Sequence, residues 1–288
     1  MARLLVVGCG YVGASLAERA IGDGDTVFGL RRSEAPLPAG VEAIRADVSS
    51  PLAPGSLPED LDAVVYAVAA KSRDEAVYRA AYVDGLRHVL EALRQAPKPP
   101  RRLVFTSSTA VYGQAAGEWI DETSETSPRS FSGRILLEAE ALLADAPCEG
   151  VALRLGGIYG PGRTSRLRAV AEGRITVRDG APHYTNRIHR DDAAGAIQCL
   201  LAAPSAPAIV LGVDDEPVDE ATLADWMAEL VGAPAPRRVA PDEATPPRAG
   251  SKRCRNDLLR SLGYDFAYPT YREGYASLLG EVVGDAPS

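Results

Sequence analysis

Residues 4–7 form an apolar run of strand length that ends on glycine. Ala14, Ala17, Ala20 and Ile21 then recur at helical spacing until Gly22 and Gly24 stop the pattern. A second strand is predicted over 26–30 and a weaker third over 41–45. Residues 63–70, Ala67 among them, are continuously apolar, as in a strand buried on both faces of a parallel sheet. Residues 73–95 predict one long helix, with Val77, Ala80, Ala81, Val83, Leu86, Leu90 and Leu93 on its apolar side. Pro97, Pro99 and Pro100 end it. A strand over 103–106, a helix over 131–145 and a strand over 151–155 follow. This alternation predicts a doubly wound α/β fold with a mostly parallel sheet and right-handed crossovers.

After Gly160-Pro161-Gly162 the pattern changes. Short helices are predicted over 167–172 and 191–201, the latter with Asp191 or Asp192 as its N-cap. A late strand is expected over 208–213, and helices over 220–230, 256–262 and 271–282. Residues 232–250 are rich in proline and alanine and predict an irregular excursion.

The first strand runs straight into Gly8-Cys9-Gly10-Tyr11-Val12-Gly13, a G-x-G-x-x-G turn that opens a helix. That context is what a dinucleotide-binding turn requires. Gly8 permits the tight turn, Gly10 lets the backbone approach a pyrophosphate, and Gly13 lets helix and strand pack closely. The helix N-terminus offers free N–H groups to phosphate. Binders of NAD usually carry Asp or Glu at the end of the second strand for the ribose 2′-OH. This chain has Arg31-Arg32-Ser33 instead. A guanidinium pairs with a 2′-phosphate and a carboxylate repels it. The expected cofactor is therefore NADP(H) rather than NAD(H), with Arg31 the main contact and Arg32 and Ser33 in support. Asp47-Val48, after the third strand, is a candidate contact for the adenine. The domain reading is a nucleotide-binding unit over 1–160 and a smaller substrate lobe over 161–288, with about 186–213 returning to the first unit.

Composition narrows the function further. The chain has 288 residues, 46% of them hydrophobic and 24% charged, which fits an ordered globular protein. The formal net charge of −8 argues against a nucleic-acid partner, which a basic face would attract. No apolar run approaches the ~20 residues of a membrane helix, and the start lacks the features of a secretion signal. The expectation is a cytoplasmic protein with a small-molecule substrate and no membrane partner. Four scattered cysteines and three histidines show no metal-ligand spacing.

Ser107-Ser108-Thr109-Ala110-Val111-Tyr112-Gly113 resembles the serine-rich strand end of the extended short-chain dehydrogenase/reductase superfamily, in its NAD-dependent epimerase/dehydratase branch. Leu153-Arg154 with Ile158-Tyr159-Gly160-Pro161 is similar to a second segment of that family. So are Ile188-His189-Arg190-Asp191-Asp192-Ala193 and Gly212-Val213 with Glu216-Pro217-Val218. The resemblance implies a Rossmann-type domain, a C-terminal lobe closing over the substrate, and hydride transfer assisted by a Tyr-x-x-x-Lys pair and an upstream hydroxyl. Ser108 matches the hydroxyl, with Ser107 as runner-up. The family often forms dimers through helices like those over 73–95 and 131–145, so a homodimer is possible.

The Tyr-Lys pair is missing. Anchoring on Glu138 places the tyrosine position at Ser130 and the lysine position at Arg134. Arg134 would then hold the nicotinamide ribose, but an arginine stays charged and is no proton reservoir. Its plainer role is a surface pair with Glu138. Tyr112 or Tyr159 would be the alternative phenol. Three readings follow: an NADP-dependent oxidoreductase for a small carbonyl or alcohol, a non-catalytic NADP(H) sensor, and a sugar-nucleotide epimerase or dehydratase. Against the third, Gly157 sits where many such enzymes carry Asn, and no arginine-rich diphosphate clamp is evident. His189 reads as a core histidine satisfied by a backbone carbonyl. Arg187 and Arg190 read as substrate-anion contacts or solvated charges. Ser251-Lys252-Arg253 with Arg255 reads as an exposed turn, or an anion contact in the C-terminal lobe.

Overall fold

The computed structural model describes residues 1–240, 243 and 250–283. Its centre is a seven-stranded parallel sheet. Five strands come first in the chain: β1 (Arg3–Val7), β2 (Thr26–Arg31), β3 (Glu42–Arg45), β4 (Ala63–Tyr66) and β5 (Arg102–Ser108). Across the sheet the order is β3-β2-β1-β4-β5, then Glu149–Leu155 and Ile209–Gly212. One face packs on α1 (Tyr11–Gly22) and helix Arg190–Ala202 through Leu16, Ala17, Ile197 and Leu200. The other packs on α3 (Gly85–Arg94) and α4 (Phe131–Ala141) through Leu86, Val89 and Ile135. The order reverses beside β1, which opens a crevice past the carboxyl ends of the strands. A smaller core around Leu167, Leu223, Met227, Tyr271 and Tyr275 builds the C-terminal lobe.

Three local departures from the sequence pattern matter for the crevice. The apolar run over 63–70 is a strand only to Tyr66. The Ala67 N–H still pairs with Val7 O at 2.8 Å, and the chain then turns over the glycine loop. The predicted helix over 73–95 is three pieces: α2 (Glu75–Arg79), a π-helical turn (Ala80–Asp84) and α3. The Tyr66 hydroxyl donates to Ala81 O at 2.5 Å and takes that carbonyl out of the α-helical ladder. Gly85 is required beneath it, because a Cβ there would lie 2.3 Å from the same hydroxyl. The predicted helix over 271–282 also divides, into Tyr271–Ala276 and Leu279–Val283. In the irregular excursion, Arg237–Val239 forms a short strand, while 241–242 and 244–249 lie outside the described residues.

Helix Arg190–Ala202 is capped by neither Asp191 nor Asp192. His189 is the cap, its Nδ1 accepting the Asp191 N–H at 3.2 Å, while its buried Nε2 meets no hydrogen-bond partner among the described residues, so the expected backbone carbonyl is not there. Asp192 is fully buried and holds the C-terminal segment instead. It accepts the Tyr264 hydroxyl at 2.8 Å and the N–H groups of Ala267 and Tyr268 at 2.7 and 3.0 Å. No helix is long and apolar enough to cross a membrane among the described residues. Replacing Asp192 by alanine leaves those buried donors unmet, and urea unfolding should show a loss of about 2–4 kcal/mol.

Candidate functional site

A cleft of about 1500 Å³ lies past the ends of β1, β2, β3, β4 and β5 and reaches into the C-terminal lobe. This exceeds the usual volume of a small-ligand pocket, roughly 300–1,000 Å³, and leaves room for a dinucleotide beside a second molecule. Its floor is the glycine turn. Gly8 has φ +86°, and a Cβ there would sit 2.6 Å from Val68 N and 2.7 Å from Ala67 O. A Cβ on Gly13 would sit 2.5 Å from Gly8 O. Gly10 differs: the only neighbour its Cβ would meet is Gly8 O at 3.9 Å, so it faces open space. Gly10 also caps α1, with no side chain on the first N–H groups and no acid in the first turn. The helix end is left free for an anion. Val12 is buried in the core below, and the Tyr11 hydroxyl reaches across to Pro161 O at 2.9 Å under the Arg163 guanidinium.

At the end of β2, Arg31 lines the cleft, its Nε donating to Ser33 Oγ at 3.0 Å and its Nη1 to Pro36 O at 3.1 Å. Arg32 is paired with Asp47 at 3.0 Å. Asp47 also accepts both the N–H and the hydroxyl of Ser49. Burial works to raise this carboxyl, but the bonds from Ser49 and Arg32 outweigh it and hold it below its usual range. Asp47 therefore has its acceptors largely committed within the protein. Val48 lines the cleft with its side chain in the core and its carbonyl on His88 Nδ1 at 2.8 Å.

The hydroxyl and phenol positions separate cleanly. Ser108 ends β5 facing the cleft and accepts the Ala110 N–H at 3.2 Å. Ser107 is buried and donates to Glu140 at 2.5 Å. The Tyr112 ring lines the cleft, but its hydroxyl donates to Asp121 O at 3.0 Å and accepts from Arg154 at 2.7 Å. Burial pushes this phenol up to about 12 despite the arginine, so it does not exchange protons near neutrality. Tyr159 is pushed up further by burial, is stacked on Tyr275, and has no partner for its hydroxyl among the described residues.

Helix α4 carries a correction to the sequence reading. Ser130 caps it, accepting the Gly133 N–H at 3.2 Å, and lines the cleft. Arg134 is exposed, donates to Arg129 O at 3.3 Å, and is not part of the lining. Nor does it pair with Glu138, which is bound to Arg79 at 2.5 Å on the surface. The residues one helical turn apart that do face the cleft are Ser132 and Leu136. The anchor was off by half a turn: Glu140 is the buried acid of this helix and Glu138 is solvated. Gly133 is the signal that fixes the register. A Cβ there would lie 2.3 Å from Ala110 O, so it must face the turn after β5.

A model of the NAD dependent epimerase/dehydratase family matches residues 4–212. The chain belongs to this family. It is 29% identical over 282 residues to Protein YeeZ of Escherichia coli, covering 93% of this chain and 97% of that one. It is also 29% identical over 213 residues, 66% of its length, to a 3-diazoavenalumate denitrifying reductase of Streptomyces. A solved structure described as an NAD-dependent epimerase/dehydratase of Methylobacillus flagellatus superposes with a TM-score of 0.79. It is 36% identical, over 98% of this chain and 99% of that one.

The two α4 residues one turn apart that line the cleft, Ser132 and Leu136, are neither a tyrosine nor a lysine and cannot do the proton work of that pair. Folding also assembles what the linear sequence does not show. Nine lysine and arginine side chains converge on the cleft from six separate stretches of chain. Among them Lys252 belongs to a buried strand, Lys252–Cys254, and not to an exposed turn. Arg187 is buried too, whereas Arg190 is taken by Asp191 at 2.8 Å. Replacing Tyr112 by phenylalanine removes the hydroxyl between Arg154 and Asp121. The expected loss is about 1–3 kcal/mol in chemical denaturation.

Proposed function

We propose that the protein is an NADP(H)-dependent reductase acting reversibly on a small carbonyl or alcohol substrate. The observation that carries this is Arg31 on the cleft at the end of β2, beside a glycine turn whose middle residue faces open space. The arrangement fits the cofactor. The free N–H groups of α1 would hold the pyrophosphate, and Arg31 with Ser33 would hold the 2′-phosphate. When bound, the nicotinamide supplies or accepts the hydride. Ser108 would orient the reacting oxygen, and the Ser130 and Ser132 hydroxyls, 3.0 Å apart, line the same cleft. In reduction the carbonyl carbon gains a hydride and its oxygen a proton. Tyr112 is committed and Leu136 is uncharged, so that proton comes from water in the cleft. A relative that is a reductase supports the reaction class.

A second reading is a non-catalytic NADP(H) sensor, favoured by Ser132 and Leu136 in place of a proton-transfer pair. Calorimetric titration with all four nicotinamide cofactors, followed by a carbonyl screen read by NADPH absorbance, decides between them. Turnover establishes the reductase, and binding without turnover the sensor. Arg31→Asp should weaken NADPH binding by about tenfold or more, because a carboxylate repels the 2′-phosphate, while NADH binding holds or improves. Comparable affinities of the unaltered protein for NADH and NADPH would overturn the NADP assignment. The double substitution Ser132→Tyr with Leu136→Lys should raise the reduction rate by about tenfold or more, since positioned acid catalysis contributes at least that much.

A further inference from the structure

Among the described residues nine cations line the cleft against two carboxylates, Asp47 and Glu220. Both carboxylates are already engaged, Asp47 by Arg32 at 3.0 Å and Glu220 by Arg166 at 3.2 Å. The whole chain carries a formal net charge of −8. The cleft is a cationic hollow in an acidic protein, and low-dielectric walls focus such a field onto anions that enter. On the reading proposed above, the cofactor phosphates account for Arg31 and the glycine turn. They do not account for Lys252.

Lys252 reaches the cleft from the C-terminal lobe and is 2% exposed. Its ammonium has one hydrogen bond among the described residues, to Tyr112 O at 3.4 Å, although it carries three donors. Its register partner Glu118 is exposed, accepts the Ala116 N–H at 2.8 Å, and acts on the ammonium only from a distance, with no ion pair to it among the described residues. The backbone around Lys252 is firmly held. Asn186 donates to Lys252 O at 3.0 Å and accepts the Cys254 N–H at 2.7 Å. Arg187, next to Asn186 in the chain, is 7% exposed and lines the same cleft; the buried Asp214 carboxylate attracts it, yet its Nη1 meets no hydrogen-bond partner among the described residues. Burying a cation whose donors are only partly met is unfavourable, and a rigid backbone cannot release it to solvent. An anion from outside the chain resolves both.

We propose that Lys252, with Arg187 lining the same cleft, binds an oxyanion of the substrate, a carboxylate or a phosphate, so that the carbonyl compound reduced here is anionic. The substrate is then held at its charged group by the C-terminal lobe, with its reacting oxygen towards Ser108.

The test is calorimetric titration of benzoate, phenyl phosphate and neutral benzamide into the unaltered protein, Lys252→Met and Lys252→Arg, with and without saturating NADPH. At least one of the two anions is expected to bind. Lys252→Met should weaken it by about tenfold or more and Lys252→Arg should retain most of the affinity, while benzamide does not distinguish the three. Lys252→Met should also melt at a higher temperature, because a neutral chain of similar length replaces an unpaired buried charge. A purely structural lysine would lower it. Should Lys252→Met fail to fold, Lys252→Gln takes its place. Binding of benzoate alone assigns a carboxylate, and of phenyl phosphate alone a phosphate. Binding of neither anion, or equal binding by Lys252→Met, overturns the proposal. If NADPH itself does not bind, the reductase reading fails, but the cofactor-free titrations still decide the anion site.

Discussion

One buried ion pair sets the wall on which the cleft depends. Arg154 and Glu140 are both almost wholly buried and meet at 2.7 Å. Arg154 belongs to strand Glu149–Leu155 and Glu140 to α4. Ser107 donates to the same carboxylate, and Arg154 donates onward to the Tyr112 hydroxyl. Such a pair is tolerable in a protein interior only when its remaining donors and acceptors are met. Meeting them decides the site. The hydroxyls of Ser107 and Tyr112 are drawn into the network although both residues line the cleft, which leaves Ser108 as the hydroxyl of β5 with a free proton to donate. The same anchor fixes α4 so that Ser132 and Leu136 face inward.

The cleft this wall encloses has an unusual distribution of charge. The acidic residues that make the chain anionic lie elsewhere, and the two on the cleft are neutralised by arginines. The fold by itself supports many reactions, so the chemistry must be read from these side chains. The free N–H groups of α1 and Arg31 lie at one end of the cleft, and Lys252 and Arg187 line it from the C-terminal lobe. Beside the Ser108 hydroxyl, α4 presents Ser132 and Leu136, neither of which is a proton-transfer group near neutrality.

Much of this was legible in the linear pattern because it depends on local rules. The glycine turn, the alternation of strand and helix, and the arginine ending β2 are set by backbone sterics and by the period of apolar residues. What was misread depends on partners distant in sequence. The break in the helix over 73–95 comes from the Tyr66 hydroxyl on a neighbouring strand. Asp192 resembles a helix cap, yet its acceptors are taken by residues about seventy positions later. Glu138 and Glu140 look equivalent along the chain, and only packing shows which faces Arg154 and which faces water.

By itself the sequence determined the sheet, the crevice at its switch point, the glycine turn that opens α1 and the absence of the usual Tyr-Lys pair. Each follows from residue type and spacing. The tertiary structure alone decided which side chains share the cleft. It removed Arg134 and the Tyr112 hydroxyl from the site and brought in Ser132, Leu136, Arg187 and Lys252. Burial and charge compensation are properties of the packed molecule, set where segments far apart in the chain come to exclude water together.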